Sequence, residues 1–281
     1  MRALTVRQKE NDLMRISIVT PTFNSASTIR DTCRSISAQN YPDFEHIIVD
    51  NLSKDGTVPL VRGYYRECGK EKSLKIISER DQGISDAFNK GIRASTGEIV
   101  AILNSDDRYY SPRVFETVSA IFKTRIEVEI VHGKMLFEDK RHGTNIRTPL
   151  LGMIQSAMPL NHPTMFVRKS LYTKYGLFDV NYKYAMDFEW LCRFYEKGEI
   201  KKICYLRDFP ITAMKAGGVS HRRELQALYE AKKALSKHNL YNTSAQWHFL
   251  LRLVRIRAKN LLQVLGLDAI VKVWRFFKWK E

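Results

Sequence analysis

Four short apolar runs, set apart by stretches with helical spacing, constrain this chain more than any other feature. "ISIVTPTFN" (16–24), "EHIIVDN" (45–51), "LKIISE" (74–79) and "EIVAIL" (98–103) are rich in β-branched residues and continuous rather than alternating. Alternation marks a strand with one wet face, whereas a continuous run marks burial on both faces. Between them, "SASTIRDTCRSISAQN" (25–40) sets Ile29, Cys33 and Ile36 at helical spacing, and "GISDAFNKGIRAST" (83–96) reads as a helix opened by a glycine turn. Strand–helix–strand units of this length predict right-handed crossovers into an α/β fold, a mostly parallel sheet flanked by helices.

In such sheets ligands bind beyond the carboxyl ends of the strands. Four polar clusters fall at those ends: Pro21–Asn24, Asp50–Asn51, Asp81–Gly83 and Asn104–Asp107. The middle third reads differently. "IEVEIVHGKMLFED" (126–139) is strand material with a turn expected at Gly133, and "RKSLYTKYGLFD" (168–179) is a helix closed by Gly176. "YAMDFEWLCRFYEKG" (184–198) is a second helix, and no Pro/Gly/Ser linker separates this part from the first.

The last of the four strands ends in "AILNSDDRYY" (101–110), with adjacent carboxylates at Asp106 and Asp107. Two acids on a short loop can hold a hard divalent cation, Mg²⁺ or Mn²⁺, through oxygen. The same pair also serves as an ordinary turn and helix cap. Asp50 can accept a hydrogen bond from a nucleobase N–H. Gly83 opens a helix where free backbone N–H groups suit an anion. Asp86, Asn89 and Lys90 follow on one side of that helix; for Lys90 a solvated face is the plainer reading.

The ordered set "SIVTPTFN", "IIVDNLSKDGT", "DQGISDAFNKG" and "AILNSDD" resembles the family 2 glycosyltransferases, whose nucleotide-binding half has the GT-A fold. The resemblance extends over about residues 15–218. It implies that Thr20 and Pro21 line the donor site with Gly83, Asp86 and Asn89, and that Asp50 contacts the base. It places Asn104 and Asp106 near the ribose and sugar, and the metal on Asp106 and Asp107. The motif's usual first acid is here Asn104, a poorer cation ligand. "NHPTMFVRKSLYTKYGLFDVNYKYAMDFEWLCRF" looks like the family's acceptor segment, with Asp187 in the place of the catalytic base. Glu189, two residues on, points elsewhere on a helix and is assigned a structural or acceptor contact. His162 lines the acceptor cleft in this reading, and His221 of "AGGVSH" is a weaker candidate late metal ligand. A single base with in-line displacement implies inversion at the anomeric carbon. Glycoside hydrolysis by paired carboxylates needs neither a phosphate-facing glycine turn nor a base-contacting acid.

Charge adds a partner. The formal charge is +16, and residues 219–281 carry 13 Lys/Arg against 4 Asp/Glu. "WHFLLRLVRIRAKNLLQVL" (247–265) places Trp247, Leu250, Leu251, Val254, Leu261 and Leu265 on one helical stripe flanked by arginines, and "DAIVKVWRFFKWKE" continues the mixture. Cations for anionic lipid and aromatics for the interface predict a peripheral membrane contact; packing on protein is the alternative. Nucleic acid also suits basic residues interleaved with aromatics, but no zinc knuckle or helix-turn-helix signal supports it. No run approaches the length of a membrane-spanning helix. The four cysteines show no metal or disulfide spacing.

The expected organisation is a polar extension (1–14), a nucleotide-sugar-binding half (15–110), an acceptor-binding half (111–218) and a basic helical tail (219–281). The expected activity is transfer of a sugar from a UDP- or GDP-sugar to a glycan, lipid-linked, in bacterial polysaccharide biosynthesis at the cytoplasmic face of the membrane. A non-catalytic nucleotide-sugar- or nucleic-acid-binding protein is the alternative.

Overall fold

A computed structural model describes residues 13–139, 143–149, 154–215 and 223–267. The four apolar runs form strands Ile16–Thr22 (β1), Phe44–Asp50 (β2), Leu74–Ser78 (β3) and Ile99–Ile102 (β4), all mutually parallel in the order β3-β2-β1-β4. Helices Ile29–Ser37 (α1), Thr57–Glu67 (α2) and Ile84–Ala94 (α3) make the crossovers. Every residue of β2 and β4 is buried, as continuous apolar runs require. Along β4, Val100 and Ile102 point into one core while Ile99 and Ala101 point into the other.

The chain winds from β1 outward through β2 to β3 and then returns to the other side of β1. The loops after β1 and β4 therefore leave the sheet side by side in opposite crossover directions, which opens a crevice there. α3 lies close against β1. A Cβ on Gly91 would stand 2.1 Å from Val19 Cγ1, so only glycine permits this approach.

The second half extends the same sheet with mixed directions. Arg108–Tyr109 (β5) follows the acidic loop, helix Val114–Thr124 (α4) covers one face, and Ile130–Asp139 (β6) forms a hairpin with Gly143–Arg147 (β7). Phe166–Arg168 (β8) inserts antiparallel between β4 and β6, and Ile203–Lys215 (β9) runs parallel to β6 and antiparallel to β5. Gly133 is not the expected turn. It lies within β6 where the register with β9 shifts, and Ile211 packs against it where a Cβ would stand 2.9 Å away. A bidentate Arg108–Glu138 pair (2.7 and 2.6 Å) ties β5 to β6.

Helices Ser170–Tyr175 (α5) and Met186–Glu196 (α6) pack on the core with Trp190 and Leu191 fully enclosed. Helix Glu224–Lys237 (α7), grouped with the tail by its charge, belongs to the same core through Leu228, Ala234 and Leu235. Helix Thr243–Val264 (α8) follows, with Ala245 and Ile256 as its buried residues. At the other end, Leu13 and Met14 pack against the core rather than trailing from it. Residues 1–12, His221 and the segment 268–281 lie outside the described residues.

Candidate active site

Three loops meet at the crevice, and side-chain hydrogen bonds lace them together. The register of β1 with β2 sets Thr22 opposite Asp50, and Thr22 Oγ1 donates to Asp50 Oδ1 (3.0 Å). Ser53 donates to the same carboxylate through Oγ (2.5 Å) and backbone N–H (3.0 Å), and Ser78 Oγ supplies a fourth bond (2.9 Å). Asp50 is thus fully buried and its lone pairs are taken. A nucleobase N–H would have to displace one of these donors. Asn24, held at φ +49°, accepts from the Lys54 N–H (3.0 Å) and donates its own N–H to Ser53 Oγ (2.8 Å). The Ser25 and Ser105 hydroxyls, 2.9 Å apart, join the β1 loop to the acidic loop across the crevice.

Two residues expected at the donor site face inward instead. Thr20 is fully buried, with Oγ1 2.9 Å from His46 Nε2, while His46 Nδ1 meets the Tyr65 hydroxyl (2.7 Å). Asn89 grips the Phe178 backbone from both sides, donating to its carbonyl (2.8 Å) and accepting from its N–H (2.9 Å). It joins α3 to the second half and is not available to a ligand. The sequence marks both as polar at the right place but says nothing of direction. Pro21 is partly exposed at the end of β1. Gly83, at φ +115°, turns the chain into α3, and Asp86 accepts from the Gln82 N–H (3.1 Å) and lies 3.5 Å from Lys90.

In the acidic loop Asp106 is exposed and Asp107 buried. Asn104 Nδ2 donates to Asp107 Oδ2 (3.2 Å), which leaves Asp107 Oδ1 and Asn104 Oδ1 buried without a hydrogen-bond partner. Burial, then the Asp106 charge, push the Asp107 carboxyl up to about 7, against the pull of Asn104 and Lys215. Two orphaned oxygen acceptors beside an exposed carboxylate fit a hard cation, which takes oxygen ligands and satisfies such groups. Among the described residues no three His, Cys, Asp or Glu side chains converge. An ion held here by Asp106 and Asp107 would keep coordination positions for water and phosphate oxygens, as Mg²⁺ and Mn²⁺ do.

Asp187 lies in the first turn of α6 and lines a water-sized recess of about 10 Å³ with Ile102, at the end of β4, and His162, Tyr172, Phe178 and Trp190. The sheet strand that carries the acids therefore also forms a wall of the base candidate's recess. His162 packs on Phe88 with ring centroids 5.7 Å apart; burial lowers its pKa and the Asp187 charge opposes that. Three backbone N–H groups leading into α6, those of Lys183, Tyr184 and Ala185, donate to the Glu230 carboxylate of α7 (3.0, 2.8 and 2.9 Å). A carboxylate at a helix N-terminus also meets the helix dipole favourably, so α7 fixes the turn that presents Asp187.

Glu189 takes the structural role of its two assignments. It is fully buried and accepts from Arg193 (2.5 Å), Lys237 (2.9 Å) and His238 (3.0 Å), which binds α6 to α7. Arg147 was not singled out by the sequence. It ends β7 with an exposed side chain; desolvation lowers its pKa, and the charge of Asp187 opposes that. An arginine in a strand carries no mark of which carboxylate will act on it.

A parallel sheet with an acidic loop at its switch point, and a second carboxylate on the recess that the same strand lines, defines a GT-A glycosyltransferase. The chain matches the family described as Glycosyl transferase family 2 over residues 17–191 and belongs to that family. The PGL/p-HBAD biosynthesis glycosyltransferase of Mycobacterium tuberculosis is 27% identical over 180 residues, 63% of this chain and 68% of that protein. A glycosyltransferase of Rickettsia typhi is 28% identical over 185 residues, 62% of this chain and 56% of its own. Among solved structures, S. aureus TarS 1–349 in complex with UDP superposes with a TM-score of 0.64 at 20% identity, over 82% of this chain and 67% of that one. The mannosyltransferase PcManGT from Pyrobaculum calidifontis, in complex with GDP-Man and Mn²⁺, gives 0.62 at 20% identity, over 94% and 83%.

Proposed function

We propose that this glycosyltransferase is an inverting enzyme that moves a hexosyl group from a UDP- or GDP-sugar to a hydroxyl of a lipid-linked glycan, in bacterial surface-polysaccharide assembly. The observation that carries the reading is the shared recess: Asp187 and the end of β4, two residues before Asn104, line one space. An acceptor hydroxyl there loses its proton to the Asp187 carboxylate as its oxygen attacks the anomeric carbon. Asp106 and Asp107 would hold Mg²⁺ or Mn²⁺, which when bound neutralises charge on the departing diphosphate. His162, kept neutral by its surroundings, lines the acceptor side, and the crevice loops hold the nucleotide.

The lipid-linked acceptor is supported by α8. Trp247, Leu251, Val254, Leu261 and Leu265 lie on one face of this helix and each is about 60% exposed. Arg255 and Arg257 flank the stripe, Arg255 partly exposed and Arg257 exposed. Apolar side chains bordered by guanidinium groups match an anionic lipid surface. Among the described residues no helix is long and apolar enough to cross a membrane. With α8 on the lipid, the enzyme would work at the cytoplasmic face of the membrane, beside a lipid-linked acceptor.

The test is calorimetric titration of UDP and GDP with Mn²⁺ and with EDTA, alongside turnover of Asp187→Asn. Binding of one nucleotide that EDTA abolishes is expected, and in Asp187→Asn that binding persists while turnover falls by about 10²–10⁴. Unchanged turnover removes Asp187 from the base role. Binding that ignores EDTA removes the cation from the donor site.

A further inference from the structure

Thr32, Ser35 and Gln39 recur at i, i+3 and i+7, so they share one face of α1 and of the turn that follows it. That face meets the segment that carries the acids. Ser35 Oγ accepts from the Tyr109 N–H (3.0 Å). Gln39 accepts from the Phe115 N–H (3.1 Å) and donates to the Ser111 carbonyl (2.9 Å). Thr32 reaches the acidic loop itself: its Oγ1 donates to the backbone carbonyl of Asp107 (2.7 Å), and both residues are buried.

Hydroxyls on a helix commonly turn back on it. Thr28, Ser35 and Ser37 do so, each donating to the carbonyl three residues before it (3.3, 2.9 and 3.2 Å). Thr32 instead makes its bond across the fold. A buried carbonyl without a donor is costly, so the loop depends on this hydroxyl for its place.

The consequence falls on a side chain. The Asp107 N–H donates to the Asn104 carbonyl (3.1 Å), closing a turn, and its own carbonyl is taken by Thr32. With the backbone held on both sides of the Asp107 Cα, the direction of its Cα–Cβ bond is set, and so are the rotamers open to the carboxylate. Asp107 Oδ1 and Asn104 Oδ1 are the buried oxygens of this turn left without a partner. A hard cation such as Mg²⁺ demands its oxygens in near-ideal octahedral directions. Adjacent carboxylates also repel each other, and a tether on the backbone restrains them without using up a carboxylate oxygen.

We infer that Thr32 is a positioning residue for the cation: by holding the Asp107 carbonyl it aims the Asp107 carboxylate, and so sets metal affinity from a helix outside the ligand set. This rests on the reading of Asp106 and Asp107 as cation ligands, and adds to it a residue that touches neither ion nor substrate.

The experiment compares wild type with Thr32→Val, Thr32→Ser and Cys33→Ala. Valine keeps the branched shape and loses the hydroxyl, whereas serine keeps the hydroxyl. Cys33, the next residue of α1, is buried with Val61 and Tyr65 of α2, so truncating it loosens the helix without touching the loop. Two quantities are read well below every melting temperature. One is the Mn²⁺ concentration that half-saturates binding of UDP or GDP; the other is amide hydrogen exchange over residues 104–110 with EDTA present. Thr32→Val should need about tenfold more Mn²⁺ or higher, with Thr32→Ser and Cys33→Ala within about threefold of wild type. Exchange over residues 104–110 should quicken in Thr32→Val and stay at the wild-type rate in the other two. If Thr32→Val does not fold, Thr32→Ala takes its place with the same expectations. An unchanged Mn²⁺ requirement in the hydroxyl-free variant, against a clear requirement in wild type, overturns the inference alone. An equal rise in Cys33→Ala also overturns it, as does a serine that restores nothing, because the effect would then be a general loosening of α1. Wild type that binds nucleotide without regard to Mn²⁺, or binds none, overturns the cation reading and the inference with it.

Discussion

His46 is a fully buried imidazole between Thr20 and Tyr65, and burial lowers its pKa from 6.5 to about 3. Both partners are hydroxyls, which satisfy the neutral ring without offering it a counter-charge. The unfolded chain takes up a proton at this residue near pH 6.5, whereas the folded protein refuses it until far lower pH. Stability from this group is therefore complete above about 6.5 and drains away as pH falls toward 3, by roughly 1.4 kcal/mol per pH unit. Asp107, His132 and His162 also differ between folded and unfolded chain across 6.5 to 4.5, so the difference in slope between wild type and a His46 variant is what reports this ring. Urea midpoints across that window should fall less steeply in His46→Gln than in wild type, by about one proton's worth. Equal slopes would mean that His46 titrates in the native state. The position also shows why the donor site was only partly legible. Thr20, Asp50 and Asn89 were read as ligand contacts from their type and place, yet each turns inward to hold backbone or neighbour. A strand residue's side is fixed by register, and register is not written in one strand alone.

Among the elements, β1 to β4 and α3 were legible because each carries its own pattern, a run buried on both faces or a stripe at helical spacing. β5, with two residues, and β8, with three, carry none; they exist because neighbouring strands offer them partners. Gly133 misled for a related reason, since a glycine needed for close packing inside a strand resembles one needed for a turn. The packing of α3 on β1 gives a paired test. Gly91→Ala drives a methyl group into Val19 and should cost about 1–3 kcal/mol in denaturant unfolding. Gly63→Ala, in α2 with nothing within 4 Å, should gain up to about 1 kcal/mol from helix propensity. If both changes stabilise the protein, α3 stands farther from the sheet than described.

For the whole molecule, charge and apolar surface are distributed unevenly. Composition alone located the basic excess in the last quarter but did not divide it between α7, which is core, and α8, which exposes its stripe. Ile256, on the opposite side of α8, is buried, and the stripe itself faces away from the protein. Replacing Leu251 and Leu261 together by Glu should abolish sedimentation with phosphatidylglycerol vesicles and leave the unfolding midpoint unchanged, because neither residue is buried. Wild-type binding should weaken as salt rises. Persistence of vesicle binding in the double Glu protein would move the lipid contact elsewhere.

The two carboxylate staples between α6 and α7 bear on how this chain can be cut. A fragment ending with the family match at residue 191 would lose Arg193, Lys237 and His238 together, stranding Glu189 in an apolar interior. Stopping after α6 restores only Arg193, and loss of the remaining cations from a buried site of this kind costs about 3–5 kcal/mol. Glu230 would be missing from the turn before Asp187 as well. The smallest autonomous piece therefore runs past Leu240, and recombinant catalytic cores or domain swaps designed to the homology boundary should come out insoluble.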